Sequence, residues 1–346
     1  MDIKIKSYGK YNGAEYDEIF ITNDNNVTFA FSNLGARITK LLYPYDGEIY
    51  NLVLGFNTAE EAALGKDYYY GATIGRVAGR IKSGQFTLDN NVYKLPLNDG
   101  DNHLHGGENG FDLAKWEYDI QKFTDKVTVS FYLEDEDGNN GYPGHLKVKV
   151  HHTINNDNQW QIKYEGTADK NTLFDPTNHV YFNLNKEEDT DILNHKLKVN
   201  AHYYVPVDKN TLPLNNGETV EGTVFHFTKS QLLSHVLKSD NEQIKLMNGL
   251  DHAFILNDNN SASDVCLENT DNTIKVKMKT DRPAVVIFTH NKTHENLPLV
   301  NKKHAGITME AQSLPNSINI DSYRNKVILR KDEKFESITT YTFYHE

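Results

Sequence analysis

Two segments of the chain place titratable groups on the polar side of a half-apolar alternation. In Asp175–Leu184, DPTNHVYFNL, an extended backbone puts Val180, Phe182 and Leu184 on one face. His179, Tyr181 and Asn183 fall on the other. The segment AGITMEAQSLPNSIN, residues 305–319, repeats the logic, with Ile307, Met309 and Ala311 opposite Thr308, Glu310 and Gln312. Either strand alone reads equally well as an exposed sheet face. A solvated face, however, is ordinarily furnished with Lys, Glu and Thr, whereas these carry His, Tyr, Asn and Gln with one carboxylate. Such groups orient and titrate more than they solubilise, and a His with a Glu is the minimum set for concerted acid–base chemistry. An unperturbed Glu is ionised at neutral pH, while an unperturbed His, with a pKa of ~6.5, is only about one quarter protonated at pH 7. A neighbouring carboxylate favours the imidazolium. Were the two brought together on one site, Glu310 and His179 would each help to hold the other in its charged form.

Three further stretches carry ligand-reaching groups. GRVAGRIKSG, residues 75–84, sets Arg76 and Arg80 among glycines. Arg80 offers a planar fork of donors to a polar ligand, although a surface ion pair is the more ordinary use of such a residue. DNHLHGGENGFDLAKW, residues 101–116, contains His103 and His105 two apart, on one face if the chain is extended. With Glu108 they form an H-x-H-x-x-E pattern that invites a transition metal, one residue short of cupin spacing. Hydrogen-bonding histidines are the plainer reading. NGLDHAFIL, residues 248–256, delivers Asp251 and His252 into an apolar strand, where the Asp serves either a turn or a ligand.

The elements that must position these groups are strands. NVTFAF, KVTVSFYL, HLKVKVHHTI, QWQIKYEG, TIKVKMKT and PAVVIFTHN show period-two patterning, and Asn/Asp/Gly clusters separate them. The 20 Tyr and 16 Phe suit broad sheets. Helix signals are few: TAEE at Thr58–Glu61 and TKSQ at Thr228–Gln231 read as capping boxes of short helices. No repeat or linker divides the chain. Residues 1–346 are expected to form a single, large antiparallel all-β domain, a sandwich of two sheets, with a closed barrel as the alternative.

The formal charge of −12 with no basic run argues against nucleic acid and anionic membrane surfaces as partners. The lone Cys266 excludes an intrachain disulfide and is expected to be a buried, inert thiol. The N-terminal MDIKIKSYGK lacks a signal-peptide core, and no apolar run is long enough to span a membrane. A cytoplasmic location is the resulting expectation.

Taken in order, GRVAGRI, NHLHGG with GFD and Trp116, DPTNHVYFNL, GLDH and GITMEAQSLPNSIN resemble the aldose 1-epimerase, or galactose mutarotase, family over nearly the whole chain. FSNLGARI resembles the family's N-terminal strand and NNGYPG its sheet-edge loop. The resemblance implies a large β-supersandwich with a sugar cleft on the concave sheet. It implies an enzyme that interconverts the α and β anomers of a free aldohexose, galactose or glucose, by ring opening and reclosure. In it Glu310 is the general base for the C1 hydroxyl and His179 the general acid for the ring oxygen. His105 hydrogen-bonds near that oxygen, and Arg80 and Asp251 grip hydroxyls. It implies no metal, nucleotide or other cofactor, and a small-molecule sugar as the partner. Two departures stand out. IFTHN, with Phe288 and His290, replaces a Tyr-Thr pair, which removes a hydroxyl at Phe288. The charged segment at residues 292–304 matches nothing in the family pattern. A sugar-binding protein without catalysis would share the cleft, but it has no use for the His179–Glu310 pairing. A phosphorylated sugar calls for more basic residues than Lys302 and Lys303 near the Glu motif.

Overall fold

The computed structural model describes residues 1–187, 190–257, 261–271, 273–293 and 301–346. Most of the unmatched charged segment, residues 294–300, thus lies outside the described residues.

Alternation in the sequence becomes antiparallel sheet. Along Leu146–Asn155, Leu146, Val148, Val150, His152 and Ile154 are buried and the residues between them face outward. This strand pairs with Lys126–Asp135 on one side and Gln159–Ala168 on the other. They belong to a nine-stranded antiparallel sheet that runs from Glu117–Lys122 to Gln231–Leu232, with Lys334–His345 at its centre. A second antiparallel sheet has seven strands, in the order Glu218–Thr219, Ala201–Val205, Asp251–Leu256, Ala284–Phe288, Ile307–Gln312, Tyr181–Phe182 and Val53–Leu54. Strands Asp2–Tyr11 through Glu48–Asn51 form a five-stranded sheet. The molecule is mostly β with few short helices, as the patterning predicts.

The nine- and seven-stranded sheets share a core. The Phe182 ring lies 5.4 Å from Tyr341 and 6.1 Å from Phe343. The Tyr341 hydroxyl donates to the Met309 carbonyl at 3.1 Å, so one sheet is hydrogen-bonded to the back of the other. Val180, Phe182, Leu184, Ile307, Met309 and Ala311, the apolar faces read from the sequence, all join this core. Their burial fixes the register, because a one-residue slip would turn every one of them out of this core and toward the cleft. The opposite face of the same strands is thereby turned toward the cleft.

The first signal does start a helix: Thr58 caps Ala59–Leu64, accepting the Glu61 N–H at 3.2 Å, but the Glu61 carboxylate reaches past the cap to the Asn57 N–H at 2.8 Å, so only half of the capping box forms. The second does not form. Gln231 is in a strand and donates to the His226 carbonyl, and helix Leu233–Leu237 has no side-chain cap. Tertiary pairing of Gln231–Leu232 with Lys196–Leu197 overrides the local signal. Helix Glu242–Met247, capped by Asn241, was not foreseen. Cys266 is half-buried on a strand, and burial raises its thiol pKa, which suppresses the thiolate. Among the described residues no helix is long and apolar enough to cross a membrane.

Candidate active site

A cleft of about 640 Å³ opens on the seven-stranded sheet. Its walls bring together all five residues singled out from the sequence: Arg80, His105, His179, Asp251 and Glu310. The last comes from the middle of Ile307–Gln312, whose six residues are all buried. Glu310 pairs across the sheet with Val286. Its Oε1 accepts the Thr308 hydroxyl at 2.8 Å, from two residues back on the same face.

His179 is held differently from the expected continuous strand. The segment breaks into two short pieces, Thr177–Asn178 and Tyr181–Phe182, with His179 between them. Its backbone is clamped on both sides: its N–H donates to the Ala72 carbonyl at 2.9 Å, and its carbonyl accepts the Gly71 N–H at 3.0 Å. That clamp aims the imidazole, and Nε2 stands 3.4 Å from Glu310 Oε1. Nδ1 is buried with no hydrogen-bond partner among the described residues. A buried Nδ1 without an acceptor places the proton of the neutral ring on Nε2, facing the carboxyl group. All of residues 175–184 are buried, so the polar face of this segment is cleft wall and not solvated surface.

His105 sits where the chain turns. The strand His103–Leu104 ends, His105 has φ +53° and Gly106 φ +89°. A Cβ on Gly106 would lie 1.8 Å from the Gly75 carbonyl oxygen, so no larger residue fits that approach. The turn sends His105 and His103 apart. His103 is fully buried, donating through Nδ1 to the Pro96 carbonyl at 2.7 Å and accepting the Tyr142 hydroxyl at Nε2, 2.9 Å away. Glu108 is exposed. The H-x-H-x-x-E ligand pattern is therefore not assembled. A different trio is: His105, His179 and Glu310 each have a ligand atom within 4.8 Å of the other two. The hydrogen bonding of His105 decides against a metal there. Its Nδ1 accepts the Gly79 N–H at 3.1 Å, so the neutral ring carries its proton on Nε2. That nitrogen is a donor to a ligand oxygen and has no lone pair for a cation. Tyr69 packs edge-on to His105 and tilted on His179, with centroids 4.8 and 5.5 Å away, fixing both rings.

Arg80 pairs through Nε with Asp99 at 2.6 Å, which leaves its terminal amino groups to the cleft. Sequence patterning does not single out Asp99, which lies in an Asn/Asp/Gly cluster just ahead of His103. Asp251 opens the strand Asp251–Leu256 and pairs in register with Phe288. Arg76, by contrast, is structural. It is buried against Asp135 at 2.5 Å and the carbonyls of Pro143, Asp135 and Glu136. Its neighbour Arg80 differs because only Arg80 opens toward the cleft. His252 is also structural, accepting the Asp251 N–H and donating to Gln243.

Of the residues left without a role by the sequence, Tyr181 lines the cleft with its ring 5.1 Å from His179. Asn183 does not orient His179. It donates to the Thr190 and Ala305 carbonyls and so ties a loop to the sheet. Phe288 lines the cleft as an aromatic wall, edge-on to Tyr181. His290, also in the wall, bonds the Tyr70 hydroxyl at 2.6 Å.

Burial sets the electrostatics. It pushes the Glu310 carboxyl up to about 7, with Thr308 and then Arg80 pulling back. Burial also pushes His179 down to about 4, against an opposing pull from its own backbone and from Asp251. Asp251 itself is raised to about 6 by burial, with Arg80 the main counterweight. His105 is held well below its usual range by burial. The expected mutual charging of Glu310 and His179 is thus overridden. Withdrawing each from water costs more than their attraction at 3.4 Å returns, so each leans toward its neutral form.

Comparison with known proteins then decides the family. A family model described as aldose 1-epimerase matches residues 17–342. The chain belongs to the aldose 1-epimerase family. It is 31% identical to the aldose 1-epimerase of Escherichia coli (strain K12) over 341 residues, 96% of this chain and 97% of that one. It is 32% identical to galactose mutarotase of Sus scrofa over 341 residues, 96% of this chain and 95% of the relative. A crystal structure of galactose 1-epimerase from Lactobacillus acidophilus NCFM superposes with TM-score 0.89 at 36% identity, covering 99% of both chains. The protein is an isomerase with aldose 1-epimerase activity and a galactose mutarotase-like fold.

Proposed function

We propose that the substrate is a free aldohexose, galactose or glucose, and that Glu310 and His179 exchange its anomers. The observation that carries this reading is the approach of Glu310 Oε1 to within 3.4 Å of His179 Nε2 at the cleft wall. Both reacting oxygens of a cyclic sugar sit on C1, so base and acid must converge on a small volume, and this pair does. Glu310 takes the proton from O1–H. The O1–H electron pair becomes the second C1–O1 bond, the C1–O5 pair leaves to O5, and O5 takes a proton from His179. The aldehyde turns about C1–C2 and the same steps run backward from the other face. The proton lost to Glu310 and the one given by His179 balance, so the pair is reset when the ring recloses.

In this reading His105, an Nε2–H donor because its Nδ1 accepts the Gly79 N–H, bonds the ring oxygen side, and Arg80 and Asp251 in the cleft wall hold hydroxyls. Strand-borne, buried side chains hold that geometry better than loops. The competent form, Glu310 carboxylate with His179 imidazolium, has the same number of protons as the neutral pair. Sugar binding favours it, because O1–H donates to a carboxylate and O5 accepts from an imidazolium. The test is polarimetry of freshly dissolved α-galactose and α-glucose with wild type and Glu310→Gln. A folded Glu310→Gln chain that keeps wild-type rate sinks the assignment of the base.

A further inference from the structure

Three segments that carry cleft residues meet at one buried carboxylate. Asp175, on the segment that leads into His179, is 1% exposed. Its Oδ2 accepts the Ser313 N–H at 3.1 Å, and its Oδ1 shares that N–H at 3.3 Å. Ser313 directly follows the strand Ile307–Gln312 that carries Glu310. The Asp175 backbone holds the third segment, just ahead of Arg80. Its N–H donates to the Arg76 carbonyl at 2.8 Å, and its carbonyl accepts the Ala78 N–H at 2.9 Å. Nearby, the Thr177 hydroxyl donates to the Ala311 carbonyl at 3.0 Å, beside Glu310. Neither Asp175 nor Ser313 is part of the cleft wall.

The same carboxylate is the partner of Arg282. Arg282 Nη2 pairs with Asp175 Oδ1 and donates to the Ser313 hydroxyl at 3.3 Å. The guanidinium is nearly buried and lies over Phe335, 5.3 Å from the ring centroid. Stability does not account for such a pair. Withdrawing two charges from water costs about what their attraction supplies, and neutral groups of similar volume serve stability as well. Registry does account for it. A carboxylate accepts at both oxygens, here from the Ser313 N–H and from Arg282, whereas an amide of the same shape has one acceptor oxygen. An Asn at this position would turn its NH₂ group on the Ser313 N–H or on the guanidinium, donor against donor. The sugar-gripping residues have anchors of their own. Arg80 pairs with Asp99 and its carbonyl accepts the Asn316 N–H at 2.7 Å, while Asp251 belongs to a separate strand. The gap between His179 and Glu310, by contrast, spans the two segments that Asp175 joins.

We propose that Asp175, held by Arg282, is a positioning residue that sets the 3.4 Å separation of His179 Nε2 and Glu310 Oε1 without touching the sugar. The inference rests on the reading of those two groups as acid and base. Polarimetry of fresh α-galactose, thermal melts and nitrogen-15 NMR of the imidazole-labelled full chain test it. Asp175→Asn should lower kcat about tenfold or more, because small misplacements of reacting groups are costly in rate, and leave KM within about threefold. The His179 Nε2 signal, assigned by its loss in His179→Asn, should shift. The His152 signals, assigned by their loss in His152→Leu, should stay in place. Asp175→Asn combined with Arg282→Gln leaves no buried ion unpaired, so it should melt near wild type and show the same loss of kcat. Wild-type kcat in either variant, with His179→Asn impaired, overturns the inference and spares the acid–base reading. So does a loss of kcat with the His179 signal unmoved, or with the His152 signals moving alongside it, because that marks a general loss of structure. A combined variant too unstable to fold assigns the two charges to stability and overturns the inference as well. His179→Asn at wild-type rate overturns both readings.

Discussion

His179 and His152 are both buried, and burial depresses both, to about 4 and about 3. Their surroundings are otherwise opposite. His152 lies in the core, stacked on Phe31, accepting Trp160 Nε1–H at 3.0 Å and donating to the Ala36 carbonyl at 3.2 Å. Both its nitrogens are used within the protein. His179 has no partner for Nδ1 and faces a carboxyl group across 3.4 Å with Nε2. A shifted pKa is therefore not what separates His179, the proposed acid, from the structural His152. Completeness of hydrogen bonding does, because a satisfied imidazole has nothing left to offer a substrate, whereas one facing the cleft across a long contact does.

The strongest test removes the reactive half of this comparison. Glu310→Gln and His179→Asn should each lower kcat by roughly 10²- to 10⁴-fold in polarimetry. Thermal melts should show no matching loss of stability. For Glu310 the sign is the reverse. Its folded pKa lies above the ordinary 4.5, so the unfolded chain gives up that proton first as pH rises from there to about 7. Stability falls over that window. Glu310→Gln should therefore melt higher than wild type at pH 8, and a lower melting temperature there would contradict the account of its burial.

Wild-type kcat/KM should follow a bell. Below about 4 both groups are protonated and the base is blocked; above about 7 both have lost their proton and the acid is missing. A rate that climbs steadily through pH 9 would rule out His179 as the acid.

His152→Leu tests the structural half. It strands the Trp160 N–H, while the Ala36 carbonyl keeps the Thr73 hydroxyl, and should cost about 1–3 kcal/mol of stability in denaturant titration. The kcat of the folded variant should stay at wild type. His152 also binds its proton more weakly folded than unfolded, so wild-type stability falls as pH drops from 6.5 toward about 3. The variant should lose up to ~1.4 kcal/mol per pH unit of that slope. If His152→Leu instead destroys kcat at unchanged stability, the division of roles is wrong.

The smallest effect is expected at Thr308→Val. Loss of the 2.8 Å bond removes the hydroxyl that favours the ionised carboxylate, so the Glu310 pKa should rise. The alkaline limb of the bell should move to higher pH, by less than about one unit, with little change in melting temperature.

Much of the cleft was legible because alternation is a local property. Once Phe182 and Met309 must be buried, His179, Tyr181, Thr308 and Glu310 have only the other side to occupy. The failures share a cause as well. Reading His103 and His105 as one face assumed an extended chain, but positive φ at His105, Gly106 and Gly107 turns it, and His103 is spent on Pro96 and Tyr142. The Thr228 capping box lost to strand pairing of Gln231. Mutual charging of the acid–base pair assumed water around both groups, and burial removes it.

What the sequence by itself determined is the strand pattern, the apolar faces and, by resemblance of separated motifs, the family. Those depend on neighbours a few residues apart or on the order of motifs along the chain. What only the tertiary structure decided is the convergence of residues 80, 105, 179, 251 and 310 on one cleft, the tautomer of His105, the pairing of Arg80 with Asp99 and the direction of each pKa shift. Each of these depends on contacts between segments remote in sequence and on the exclusion of water, and neither is encoded in any single stretch of the chain.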